Sequence, residues 1–226
     1  MTRTTNARIA GFTYLFYIAV AFPSMVLFNR ATSGEGAAVR LASVAPHAAD
    51  LRLAVVLDLL SCFSALVLAV SLYGVTRDED QEIAMLGMAF RVGEGVIGAA
   101  NLPKTLALLW LGTAGMSAGA PDAATSNALG AFLLMPVGSA TISAVFFAVG
   151  STLFSYLLLR GRMIPVSLAR LGVLASLLLV VLLPLQGAGI VHGPMLAYMW
   201  LPMLVFEVAV ALWFLIKGVA PARQNR

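Results

Sequence analysis

Charged residues are scarce in this sequence, and that scarcity excludes an ordinary water-soluble domain. Asp, Glu, Lys and Arg make up 11% of the 226 residues, whereas hydrophobic residues make up 61%. Soluble domains carry about 25% charged residues. Long apolar runs cross a bilayer as helices, because the hydrocarbon core has no water to satisfy their backbone groups. We therefore predict an all-α integral membrane protein.

Cysteine and histidine are almost absent. Cys62 is the only cysteine, which excludes an intramolecular disulfide and a cysteine metal cluster. The two histidines, His47 and His192, lie outside the apolar runs, so neither is placed to ligate a haem inside the membrane. The sequence also has no phosphate-binding glycine loop, nucleophile elbow or HExxH motif. We expect no bound metal and no cofactor.

Six apolar runs have lengths near the roughly 20 residues that a membrane crossing needs. They cover residues 9–28, 53–73, 83–109, 131–159, 168–185 and 195–216. We therefore predict one domain, residues 1–226, folded as a bundle of six transmembrane helices. The fourth run is longer than a crossing requires. Either its helix tilts, or the stretch before Pro136 forms a separate short turn at the surface.

The basic residues flank the apolar runs, so orientation in a membrane explains the net charge of +4, and nucleic-acid binding is not expected. If the N-terminus is cytoplasmic, the inner side carries nine basic residues: Arg3, Arg8, Arg77, Arg160, Arg162, Arg170, Lys217, Arg223 and Arg226. The outer side carries three: Arg30, Arg40 and Arg52. Because basic residues accumulate on the cytoplasmic side, we predict that both termini are cytoplasmic.

The third apolar run carries more polar residues than a membrane crossing normally contains. Arg91, Glu94, Asn101 and Lys104 all fall within it, and a charge near the bilayer centre costs at least about 2.5–3.5 kcal/mol. Arg91, Glu94 and Asn101 recur at helical spacing, so they share one face of the helix. We expect this face to point into the bundle rather than towards lipid.

Two further acidic residues fall within apolar runs. Glu207 lies near the predicted membrane midplane, and Asp58 lies in its outer third. The candidate polar pocket therefore has a middle layer of Arg91, Glu94 and Glu207 and an outer layer of Asp58, Asn101 and Lys104. Three acids against two bases imply a retained proton, a bound cation or a cationic ligand group. The alternative is that these residues only fix helix packing.

These layers predict specific contacts. Arg91 is expected to bridge the third and sixth helices by contacting Glu94, Glu207 or both, because an unpaired carboxylate in hydrocarbon is costly. Asp58 is expected to lie near Lys104 or Asn101, because their estimated depths agree.

Several segments resemble a bacterial membrane-protein family called domain of unknown function 4386. They are ARIAGFTYLFYI, LRLAVVLDLL, AFRVGEGVIG, SYLLLRGRMIPVSLARLGVLA and FEVAVALWFLIKG, which together extend over most of the chain. The resemblance implies six helices, with Arg91 and Glu94 in the third and Glu207 ahead of Trp213 in the last. The insertion in PVSLARLG departs from the family's tighter Pro-Arg turn. The family implies no established activity.

Three classes of function remain open from the sequence. The leading hypothesis is a binding or sensing protein for a small lipophilic ligand, with the lipid bilayer as its surroundings. The first alternative is a membrane enzyme that uses Glu94 or Glu207 as a general acid or base on a lipid-soluble substrate. The second is a proton- or cation-coupled transporter that uses the same carboxylates. In each case we expect the bacterial cytoplasmic membrane as the location.

Overall fold

The computed structural model describes residues 2–114, 119, 121–135, 139–193 and 195–220. Within these residues the secondary structure is helical, without strands. The helices are α1 (Arg3–Ala31), α2 (Ala37–Val44), α3 (Ala48–Thr76), α4 (Gln81–Ala99), α5 (Leu102–Thr113), α6 (Ala123–Leu133), α7 (Ser139–Arg160), α8 (Val166–Gly187), α9 (Met195–Tyr198) and α10 (Leu201–Ile216).

Five helical segments are long and apolar enough to cross a membrane: α1, α3, α4 together with α5, α7 from Thr141, and α8. The sixth apolar helix, α10, has 16 residues, which corresponds to about 24 Å at 1.5 Å per residue. The predicted all-helical fold is therefore confirmed within the described residues, and five of the predicted spans correspond to helical segments that are long and apolar enough to cross a membrane.

Six helices form a closed ring in sequence order. α1 packs against α3, α3 against α4, α4 against α7, α7 against α8, α8 against α10, and α10 against α1. The outward faces of these helices are apolar: Phe12, Val70, Leu174 and Val205 are each more than half exposed. Exposed apolar side chains on the outward faces of the helices are expected where lipid, and not water, surrounds the protein.

The start of α1 and the last described residue, Ala220, lie at the same end of the ring as the α3–α4 and α7–α8 turns. Arg3 donates from Nε to the carbonyl oxygen of Val75 at 2.7 Å, which joins the start of α1 to the end of α3. Arg160 at the end of α7 pairs with Asp80 in the α3–α4 turn at 3.0 Å. Ala220 N donates to the carbonyl oxygen of Met163 in the α7–α8 turn at 3.1 Å. We call this the terminal end, and the other the loop end.

At the loop end, the short helices α2, α5 and α6 pack against one another and form a second layer. Asp122 begins α6, because its carboxylate accepts a hydrogen bond from the backbone N–H of Thr125 at 2.8 Å. The same hydrogen bond holds the pKa of the Asp122 carboxyl below its ordinary value. Through α5, this layer packs against α3 of the ring.

Three of the six predicted spans are not single helices in the structure. The sixth run is divided, because α9 ends at Tyr198 and α10 begins at Leu201, with Pro202 in its first turn. The third run is not one uninterrupted helix: α4 ends at Ala99 and α5 begins at Leu102, because Pro103 suits the first turn of a new helix and lacks an N–H for a continuing one. In the fourth run, α6 ends at Leu133 and a separate α7 begins at Ser139. The stretch before Pro136 is thus a helix of its own, whereas Pro136 itself lies outside the described residues.

Candidate functional site

Arg91 and Glu94 form an ion pair inside the ring. They are three residues apart on α4, and Arg91 Nη1 lies 2.9 Å from Glu94 Oε2. Arg91 is fully buried and Glu94 almost so. Within the described residues, no guanidinium nitrogen of Arg91 has an aligned hydrogen-bond acceptor. The charge of Arg91 is therefore balanced mainly by its proximity to the Glu94 carboxylate.

Side chains from two other helices hold this ion pair in place. Tyr17 of α1 donates its hydroxyl hydrogen to Glu94 Oε1 at 3.1 Å. The Arg91 guanidinium lies over the ring of Phe147 of α7, 4.8 Å from the ring centroid, where the negative face of the ring attracts the cation. A Cβ atom at Gly150 would lie 2.9 Å from Arg91 Cγ, so glycine at this position leaves room for the arginine stem.

Glu207 of α10 is also buried inside the ring, close enough to Arg91 and Glu94 for their charges to interact. Its Oε1 has no hydrogen-bond partner within the described residues. Arg91 makes no ion pair with Glu207 in the described part of the chain. The predicted contact of Arg91 with Glu94 is therefore present, but the bridge to the sixth span is not. Arg91 and Glu94 are linked instead to the first and fourth spans.

A cavity of about 530 Å³ extends from Glu94 towards the loop end of the ring. Its wall follows α1 from Tyr17 to Asn29, which is about 18 Å along the helix axis. Most of the wall is apolar, with Phe28 and Leu108 among its larger residues. The volume lies within the range of about 300–1,000 Å³ that is usual for small-molecule sites.

Three charged side chains on the cavity wall form hydrogen bonds with neutral groups. Asp58 accepts a hydrogen bond from the Ser24 hydroxyl at 2.5 Å. Lys104 donates from Nζ to the carbonyl oxygen of Met135 at 2.9 Å. Arg40 donates from Nε to the carbonyl oxygen of Thr32 at 2.9 Å. Among the described residues, none of the three forms an ion pair.

The structure brings five of the six candidate site residues close to one cavity or one ion pair. Asp58, Glu94, Asn101 and Lys104 line the cavity, and Arg91 lies behind Glu94. Glu207 is not part of the cavity wall. Asp58 and Lys104 thus share a cavity without forming an ion pair. The polar face of the third run does point inward, while Val96 on its opposite face is 59% exposed.

Sequence reasoning missed Tyr17, Ser24 and Arg40 as members of the site. Arg40 was assigned to an outer loop, but it lies on α2, whose packing brings it to the cavity. Tyr17 had a signal that could have been used. Its hydroxyl falls in the middle of the first apolar run, whereas a tyrosine at a membrane surface lies near the end of a run. A hydroxyl at that depth needs a protein partner.

Replacing Tyr17 with Phe tests the link between α1 and Glu94. We expect a loss of about 1.5–3 kcal/mol, since the hydroxyl donates to a charged group and its loss leaves a buried carboxylate oxygen without that donor. Tyr73→Phe is the matched control, because no hydrogen bond of its hydroxyl occurs within the described residues. Thermal unfolding in a non-ionic detergent measures both variants. Equal effects at the two positions would contradict the role of the Tyr17 hydroxyl.

Comparison with known proteins adds a family but no relative of known activity. No curated protein and no solved structure matches the chain. Residues 9–218 match the family described as domain of unknown function (DUF4386), which includes α4 with Arg91 and Glu94, the cavity wall and Glu207. The family resemblance expected from the five sequence segments is thus confirmed, and the chain belongs to the family domain of unknown function (DUF4386).

Proposed function

We propose that this protein is a membrane-embedded binding protein whose cavity takes a small amphipathic ligand. The observation that carries the proposal is the cavity of about 530 Å³, which lies between α1, α3, α4 and α7 of the ring and the short helices α2, α5 and α6. Its wall is mainly apolar and has a few charged groups at separate positions, which is the usual composition of a small-molecule site. An apolar wall favours the hydrocarbon part of a ligand, and the charged groups favour a polar part.

Glu94 is the group through which a bound ligand would affect the rest of the protein. It lines the cavity, and it also pairs with Arg91 and accepts from Tyr17. A ligand that contacts the Glu94 carboxylate competes with these partners on α4 and α1. A sensing role follows if that competition changes how the two helices pack.

A proton-coupled transporter is the second candidate, and Glu207 is the observation that favours it. One guanidinium lies near two buried carboxylates, so a proton on Glu207 removes the surplus negative charge. Transport requires that this proton exchange with both sides of the membrane. Glu207 does not line the cavity, so a second arrangement of the helices would be needed. A binding function needs no such rearrangement.

The arrangement in the membrane is part of the proposal. We propose six crossings, with α10 as the sixth, both termini in the cytoplasm, and the bacterial cytoplasmic membrane as the location. A hydrogen bond of Arg3 and an ion pair of Arg160 lie at the terminal end of the ring. Arg30 in the last turn of α1, Arg40 on α2 and Arg52 near the start of α3 lie at the loop end. The excess of basic residues at the terminal end supports a cytoplasmic assignment.

Cysteine labelling tests this orientation. In a Cys62→Ser background, we expect a cysteine at Gly161 to react only from the cytoplasmic side, and a cysteine at Gly34 to react only from outside. A membrane-impermeant maleimide applied to intact cells and to inverted vesicles makes the measurement. Reaction of the Gly161 position from outside would reverse the orientation.

Mass spectrometry of copurified molecules tests the binding function. The protein purified from its native membrane in a mild non-ionic detergent is expected to retain one class of lipid or small molecule above the level in the bulk extract. A variant with a filled cavity, Gly98→Leu, is the control, because Gly98 lines the cavity. If the wild-type protein and Gly98→Leu retain the same molecules in the same amounts, the cavity is not a binding site.

A further inference from the structure

We propose that the cavity ligand is a zwitterion, with an ammonium group and an anionic phosphate or carboxylate in the same molecule. This inference rests on the proposed function, since it names the chemical class of the ligand for the same cavity. It follows from which charges on the cavity wall are already balanced by other charges and which are not.

Glu94 is balanced within the protein and is not available as a full charge. Arg91 lies 2.9 Å from its carboxylate, and Tyr17 donates to its other oxygen at 3.1 Å. The remaining charged groups on the wall are Asp58, Lys104 and Arg40, and each binds only neutral groups among the described residues. The wall therefore presents one carboxylate and two cations that lack a charged partner.

These three groups occupy different parts of the wall. Asp58 lies between α3 and α1, where it accepts from Ser24. Lys104 extends from α5 to the end of α6, and Arg40 contacts Thr32 after the end of α1. Ser24 and Thr32, the residue that follows α1, are eight positions apart in the chain, which corresponds to about 12 Å along the helix axis. The carboxylate is thus the inner group, and Arg40 lies nearer the loop end.

A zwitterionic group satisfies this arrangement better than an ion of one sign. An ammonium group can donate to Asp58, while a phosphate or carboxylate accepts from Lys104, with Arg40 further out. Charge-assisted hydrogen bonds of this kind are the stronger ones in proteins. A simple cation leaves Lys104 and Arg40 without an anion, and a simple anion leaves Asp58 without a cation. Phe28, Leu108, Leu133 and Leu134 on the same wall suit an attached hydrocarbon chain.

Cys62 provides a direct measurement of occupancy. It is the only cysteine of the chain and lines the cavity, so a bound molecule slows its alkylation by N-ethylmaleimide. Four probes are added to the full-length protein in a non-ionic detergent: dioctanoyl phosphatidylethanolamine, dioctanoyl phosphatidylglycerol, dioctanoylglycerol and O-phosphoethanolamine. The shift in thermal unfolding temperature provides a second readout.

We expect the phosphatidylethanolamine to protect Cys62 at a concentration about tenfold lower than the phosphatidylglycerol, because one charge-assisted hydrogen bond is added at Asp58. Asp58→Asn is expected to remove this preference. Lys104→Gln is expected to weaken the binding of both phospholipids relative to that of dioctanoylglycerol. This second variant tests the inference even if Asp58→Asn fails to fold. Arg52→Gln is the control, because Arg52 is an exposed arginine on α3 that does not line the cavity.

The outcomes separate this inference from the proposed function. If dioctanoylglycerol protects as well as the phosphatidylethanolamine, the cavity binds amphiphiles but does not recognise a zwitterion, and only the inference is overturned. If no probe protects Cys62 or raises the unfolding temperature, the inference is also overturned, and the copurified molecules alone decide the binding function. Equal protection by free O-phosphoethanolamine identifies the headgroup as the ligand, whereas protection by the lipid alone identifies a lipid.

Discussion

Replacing Arg91 with Ala is expected to destabilise the protein by about 3–5 kcal/mol, the usual cost of breaking a buried ion pair from one side. The variant leaves the Glu94 carboxylate without its ion-pair partner, while Glu207 remains buried in the same interior. It also removes the guanidinium that packs against Phe147. Thermal and denaturant unfolding in the same detergent measure the loss.

Two controls separate the buried charge from other consequences of the change. Glu207→Gln keeps the shape of the side chain and removes a surplus negative charge, so we expect a smaller effect. Arg160→Ala removes an arginine from exposed ion pairs with Glu79 and Asp80, where the expected loss is about 0–1 kcal/mol. If Arg91→Ala proves no worse than Glu207→Gln, the Arg91–Glu94 pair does not stabilise the ring interior.

Replacing Gly11 with Ala is expected to destabilise the contact at which α1 and α10 close the ring. A Cβ atom at Gly11 would lie 2.7 Å from the carbonyl oxygen of Ala211 and 3.0 Å from Phe214 Cβ. The first of these is a backbone atom, so a side-chain rotation cannot relieve the clash and the two helices must separate. Overpacking of this kind costs about 1–3 kcal/mol.

Gly187→Ala is the matched control for this change. Gly187 is also helical, but a Cβ atom there has its nearest neighbour, Thr141 Cγ2, at 3.5 Å, an ordinary van der Waals contact. We expect its unfolding temperature to stay at or slightly above that of the wild type, since Ala favours a helix more than Gly does. A similar decrease in both variants would show that the α1–α10 distance is not the cause.

The membrane class, the approximate helix positions and the Arg91–Glu94 pair could be predicted from the sequence. Apolar runs of about 20 residues require helices in hydrocarbon, and residues three apart on a helix always lie on the same face. The inward direction of that face follows from the cost of exposing charge to lipid. These conclusions depend on local spacing and on composition, which the sequence contains in full.

Which helices meet around that face was decided only by the tertiary structure. The helices of the ring are apolar on most sides, so their composition does not indicate which side of α1 faces α4 or which side of α10 faces α8. Close approach at small residues such as Gly11 sets these rotations. For that reason the sequence could not predict the contact of Tyr17 with Glu94 or that of Ser24 with Asp58. It also could not predict the cavity or the exclusion of Glu207 from its wall.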